Sequence, residues 1–176
     1  MFQSIRNTHL AFTSGLLFFT IVLFSCSSDE NNLDPDIDSS IEVNLDINAI
    51  MKMINDERAN GTDCGSKENS PVEKLLWSDD LAEAALAHSN DMQINDYFSH
   101  TSEDGRKFQD RVRETNFSGT AIGENIAIGY STESAVIQGW MESDGHCNNI
   151  MKSNANVIGV ARSDEGAYWT MILGSE

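Results

Sequence analysis

The chain has 176 residues, 28 acidic against 11 basic, and a net charge of −17. An apolar fraction of 40% suffices for one core of ordinary size, and two small domains would divide it too finely. So acidic a surface repels nucleic-acid phosphates and anionic headgroups, which excludes nonspecific binding to either.

In chain order, Arg6 and His9 precede a 15-residue apolar run, Leu10 to Phe24, which ends in Ser25-Cys26. The run is shorter than the roughly 20 residues a helix needs to cross a bilayer, and it fits the apolar centre of a signal peptide. Small Ser25 before Cys26 resembles a bacterial lipobox, although bulky Phe24 is unusual there. This resemblance implies cleavage after residue 25 and lipidation of Cys26. Ser27, in place of Asp, resembles signals that send lipoproteins on to an outer membrane. The expected localisation is therefore export, with a lipid anchor in the outer membrane or at the cell surface. Residues 26–45 are rich in Asp, Asn and Ser with isolated apolar residues, and they read as a flexible acidic spacer.

Asp46 is a candidate N-cap for a helix carrying Ile47, Ile50, Met51 and Ile54 at helical spacing, with Gly61 as its stop. A polar loop with Cys64 and Pro71 leads to Leu75-Leu76-Trp77. Ser78 can cap a second helix to about Asn95, whose stripe of Leu81, Ala85, His88 and Met92 places His88 among core positions. There a histidine satisfied by hydrogen bonds is favoured over a catalytic one. A short helix through Phe108 and Val112 follows, then a strand-like stretch from Ala121 to Gly129. Thr132 caps a helix bearing Val136 and Trp140, and Asp144-Gly145 is expected to break it. After a short turn or helix from His146 to Met151 come two strands, Val157–Ala161 and Tyr168–Leu173. Asp164-Glu165-Gly166 makes them an antiparallel hairpin. Interspersed helices and antiparallel strands predict an α+β fold. Cys64 and Cys147 form an even pair which, in an oxidising compartment, predicts a disulfide. Closing a loop of about 80 residues, it would contribute about 4 kcal/mol on the chain-entropy model.

Several motifs then occur in a fixed order. Leu76-Trp77 precedes Leu81, Ala84-Ala85, His88 and Asp91-Met92, then Tyr97-Phe98-Ser99-His100-Thr101-Ser102, then Gly123-Glu124-Asn125-Ile126-Ala127. Gly139-Trp140-Met141, Gly145-His146, Asn149-Ile150, Ile158-Gly159-Val160 and Tyr168-Trp169-Thr170 complete the series. In order and spacing the series resembles the CAP superfamily (SCP-like domains) over nearly everything after Asp46, so the domain is expected at 46–176. The resemblance implies an α-β-α sandwich around a mainly antiparallel sheet, with a cleft floored by two histidines and two acidic residues. His100 matches the first histidine, Glu124 the glutamate of the Gly-Glu-Asn motif, and His146 the second histidine. A carboxylate can fix the tautomer of a neighbouring imidazole, and two imidazoles with a carboxylate can hold a divalent metal. His100, His146 and Glu124 are thus candidate cleft residues and candidate ligands of a metal such as zinc.

The chain departs from the family at two positions. Where many eukaryotic members have a second glutamate, three residues after the tryptophan, Ser143 stands; on a continuing helix Ser143 shares a side with Trp140, whereas Glu142 points away. Where bacterial relatives often have arginine after Gly-His, Cys147 stands, and a disulfide to Cys64 is a simpler use for it than an activated nucleophile. Ser102, Asn125 and Ser143 are candidate binding residues, although serines beside a histidine mostly bond to backbone and Asn125 suits a brace. Trp77, Trp140 and Trp169 read as core, and the glycines at 119, 123 and 129 lack phosphate-loop spacing. The leading expectation is an envelope-tethered binding module. Its ligand would be extracellular and of unknown class (lipid, peptide, glycan or host factor), its only membrane contact the lipid anchor, and nucleic acid no partner. The alternatives are a hydrolase of peptide or cell-wall material, and a cluster whose role is purely structural.

Overall fold

The computed structural model describes residues 36–176; the signal peptide and Cys26 lie outside the described residues. Helix α1 (Ile47–Asn60) starts at Asp46, whose side chain accepts from Ala49 N, and stops at Gly61 in the left-handed region (φ 72°). Strand β1 (Leu76–Trp77) precedes α2 (Asp79–Ile94), capped by Ser78 Oγ accepting from Leu81 N. The short α3 (Phe108–Val112) leads into β2 (Thr120–Ile128); α4 (Glu133–Met141), α5 (Asp144–Ile150), β3 (Val157–Arg162) and β4 (Tyr168–Ser175) complete the chain.

The sheet order is β1-β3-β4-β2, antiparallel except for the two-residue parallel pairing of β1 with β3. Sequence pattern misses β1 because two residues cannot show a period. Side chains alternate across strands, and here that alternation sorts the core into two layers. Trp169, Met171 and Leu173 face Ile50, Ile54, Val136, Trp140 and Ile150 from α1, α4 and α5. Ile172, with Val157 and Ala161, faces Leu81, Ala82 and Ala85 from α2. The result is the expected α-β-α sandwich. Helix α2 lies directly on β3 because Gly159 has no side chain: a Cβ there would come within 2.0 Å of Ala82 N.

Two expected boundaries move. Residues 36–45 do not behave as spacer: Val43 is buried, Ile41 and Leu45 pack beside it, and Arg162 N donates to Val43 O at 2.9 Å. Ser39 and Ser40 donate to the Asp79 carboxylate, which also accepts from Trp77 Nε1 at 2.8 Å. Isolated apolar residues in a polar run carry no periodicity, so this docking leaves no pattern to read. Similarly, α4 ends at Met141, and Asp144-Gly145 begins α5 rather than breaking α4. The helical continuation that placed Ser143 beside Trp140 therefore does not exist; Ser143 is the α5 N-cap residue.

Arg58 on α1 is fully buried and donates only to backbone carbonyls: Glu73 (2.8 Å), Ile150 (2.5 Å), Lys152 (3.0 Å) and Ala155 (3.2 Å). It ties α1 to the segment that joins α5 to β3. The predicted disulfide is present: Cys64 and Cys147, 83 residues apart, are bonded with their Cα atoms 5.5 Å apart.

Candidate functional site

Strand β2 is one edge of the sheet, and unpaired edge carbonyls must be satisfied. Carbonyls two residues apart on a strand point the same way. Along this edge Ile122 O accepts from Lys152 Nζ (2.7 Å), Glu124 O from Asn149 Nδ2 (3.0 Å) and Ile126 O from Trp140 Nε1 (3.4 Å). Three side chains from α4, α5 and the turn after it thus cover the edge that would otherwise pair with another strand. The β2–β4 register shifts between Ala121 and Gly123, a bulge immediately before Glu124.

Adjacent Glu124 and Asn125 leave opposite faces of β2 and so do different work. Asn125 is fully buried; it donates to His146 O (3.1 Å) and accepts from Asn149 Nδ2 (2.8 Å), locking α5 onto the strand. Its amide is consumed as a brace, which corrects its candidacy as a ligand contact. Glu124 turns toward α3, its side chain 1% exposed. Oε1 meets His100 Nδ1 at 2.7 Å and Oε2 accepts from Arg111 Nη2 at 2.5 Å. The carboxylate fixes the His100 ring through Nδ1, and the side chain, 56% exposed, keeps Nε2 for solvent or ligand.

Arg111 is the residue that sequence reasoning missed. It is 3% exposed, donates to Ser102 Oγ (3.1 Å), Arg106 O (3.1 Å) and His100 O (3.4 Å), and has Nε buried without a partner. Ser102 is itself buried and joins Arg111 to His88, with Oγ 3.5 Å from Nδ1, while His88 Nε2 donates to Ser99 O at 2.9 Å. His88 is therefore the satisfied core histidine that was expected. Burial, helped by the Arg111 charge, lowers its pKa and keeps the ring neutral. Nearby, burial pushes the Tyr97 hydroxyl up to about 12, and its hydrogen bond to Asp91 adds to the shift. Ser102 serves this interior network and lines a separate cavity of about 130 Å³, not the His100 cleft, so its candidacy as a binding residue is also corrected.

The cleft proper, about 420 Å³, is walled by His100, Thr101, Lys107, Phe108, Ile122, Glu124 and Lys152, among others. Neither His146 nor Ser143 lines it. His146 is half-buried; desolvation, with a smaller contribution from the charge of His100, lowers its pKa. The three expected cleft residues thus divide into a bonded pair and one neighbour that acts through space.

The metal site expected of His100, His146 and Glu124 does not fit this geometry. Both Glu124 oxygens are engaged, one by a guanidinium that already neutralises the carboxylate. Among the described residues no three His, Cys, Asp or Glu side chains gather where they could hold a metal ion. Nor is any described helix long and apolar enough to cross a membrane.

The model of the CAP (cysteine-rich secretory protein) family matches residues 51–173. An uncharacterised membrane protein of Bacillus subtilis is 39% identical over 87 residues, 49% of this chain and 25% of that protein. A second uncharacterised B. subtilis protein is 34% identical over 104 residues, covering 59% and 40%. The chain thus spans well under half the length of these curated relatives. Among solved structures, an extracellular SCP-domain protein from Bacillus anthracis superposes with TM-score 0.57 at 30% identity, covering 73% of this chain and 41% of that one. An outer surface protein of Borrelia burgdorferi gives TM-score 0.57 at 18% identity, covering 77% and 96%, and shows the same fold. With the motif series, the sandwich and a family match across most of the domain in agreement, the chain belongs to the CAP cysteine-rich secretory protein family.

Proposed function

We propose that this protein is an exported binding module, tethered through lipidated Cys26, whose cleft over His100 engages an extracellular ligand. One observation carries the reading: His100 is oriented by a buried carboxylate yet largely exposed, so the site offers a fixed imidazole Nε2 at the wall of an open cleft. Glu124 and Arg111 are then positioning residues beneath it. The descriptions of the B. anthracis and B. burgdorferi structures, extracellular and outer surface, agree with an exported setting. A hydrolase is less well served, because Cys147 is held in a disulfide and the Ser102 hydroxyl is buried under Arg111.

The lipid anchor is tested by palmitate labelling in a bacterial host: the full chain should take up label and sediment with membranes, and Cys26→Ser should do neither. Label retained by Cys26→Ser would sink the anchor. For the cleft, native mass spectrometry of the full chain after incubation with envelope extract should show a bound mass that His100→Gln lacks at unchanged melting temperature. Identical adducts on both proteins, or a variant that loses only stability, would favour a structural role for the cluster.

A further inference from the structure

Positive charge is scarce in this chain, yet two lysines line the cleft. Lys107 and Lys152 both line it, and neither joins an ion pair among the described residues. Among the described residues the one acidic residue on its wall is Glu124, whose charge is already met by Arg111. Resting on the binding role proposed above, we infer that the cleft recognises a small organic oxyanion, its carboxylate or phosphate head on Lys152 and Lys107 and its apolar part on Phe108 and Ile122.

Lys152 is prepared for this. Its Nζ is anchored on Ile122 O and an ammonium has three N–H groups, so two remain for a ligand. Gly123 keeps the approach open: a Cβ there would stand 2.9 Å from Lys152 Nζ and 3.2 Å from Asn149 Oδ1. Partial desolvation lowers the Lys152 pKa with no carboxylate to offset it, and an arriving anion would supply the missing counter-charge. Covering the β2 edge needs only a hydrogen-bond donor at this position, so that role leaves the charge unexplained.

The size of the ligand follows from the charge around the cleft. At −17 the molecule repels every charge of a polyanion or anionic bilayer that comes within a Debye length, about 10 Å, whereas a small solute brings only one or two charges that the lysines can offset. A cleft of about 420 Å³ with Phe108 and Ile122 on its wall suits an anion with a modest apolar group better than a bare inorganic ion.

The test is calorimetric titration of the full chain, in nonionic detergent, with phenylacetate, phenyl phosphate and the neutral phenylacetamide. Both anions should bind saturably, more tightly at low salt, and phenylacetamide at least about tenfold more weakly. Lys152→Gln, which keeps an edge donor, and Lys107→Gln, at an exposed site, should each weaken the anions by about tenfold. The ratio of phenylacetate to phenyl phosphate affinity identifies the preferred head. Absence of anion binding up to millimolar concentration, or anion binding unchanged in both glutamine variants, overturns the inference. Equal binding of phenylacetamide, lost in His100→Gln, overturns it while leaving the binding role of the cleft intact.

Discussion

Two arginines are buried in this domain, and they solve the same problem differently. Among the described residues Arg58 has no carboxylate in an ion pair; its guanidinium is spread over four backbone carbonyls, and burial lowers its pKa to about 10 against the partial support of Glu73. Arg111 is paired with buried Glu124, and through it bears on an exposed histidine. The first joins segments of chain, and removing it disturbs the fold alone. The second belongs to a charge pair whose other end opens on the cleft, so folding and site geometry share one residue.

The largest effect is expected at Arg58. Arg58→Met keeps apolar bulk but strips donors from four carbonyls, and at about 1–3 kcal/mol for each buried group left unsatisfied the loss should reach about 4 kcal/mol in urea unfolding. A loss below about 1 kcal/mol would mean that water reaches those carbonyls, and the contrast with Arg111 would fail. Arg111→Met should cost about 3 kcal/mol, because it takes the guanidinium from a buried carboxylate and leaves Glu124 Oε2 without its partner. The double variant Arg111→Met/Glu124→Leu should be more stable than the single one, since no orphaned charge remains. Additive losses would show that the two residues act independently.

Asp79 extends the comparison to a carboxylate held without any guanidinium. Desolvation pushes its pKa up, but hydrogen bonds from Ser40, Ser39 and Trp77 together outweigh that and bring it down to about 2 from 3.8. A folded pKa below the unfolded one contributes stability that is full above about pH 4 and is lost as pH falls through about 2. Solvent screening keeps this contribution to about 1 kcal/mol. Ser39→Ala/Ser40→Ala should flatten the acid limb of the stability curve in that window by lowering stability at neutral pH by about 1 kcal/mol, while stability below about pH 2 changes little. An unaltered limb would show that the docked segment does not hold the carboxylate. The smallest effect is expected at His100, where His100→Gln should change stability by no more than about 0.5 kcal/mol because the ring is mostly exposed.

The sequence shows best whatever repeats or is spelled locally. Asp46 and Gly61 bracket α1 and Ser78 caps α2 as read, because caps and periods are short-range chemistry. His100 and Glu124 were found through ordered motifs, and the structure bonds them. Arg58 and Arg111 were not found, since a charged residue on a short or amphipathic helix looks like solvated surface until the neighbours that bury it are known. Lys152 was missed for the same reason: the carbonyl it covers belongs to a strand 30 residues earlier. Ser143 was misplaced by assuming that one helix continued past Met141, where α4 ends and a second helix starts two residues later at its own N-cap.

The Cys64–Cys147 bond has a consequence for damage by proteases. It turns residues 64–147 into a covalent ring that contains His88, His100, Arg111, Glu124 and His146. Exposed stretches within that ring, such as the segment around Glu103-Asp104-Gly105, are natural points of attack. A single cut there opens the ring without releasing a fragment, and both new ends stay attached to a sheet whose β3 and β4 lie outside it. A nicked molecule would therefore run as one species until reduced, with the His100–Glu124–Arg111 cluster still held together by the bond.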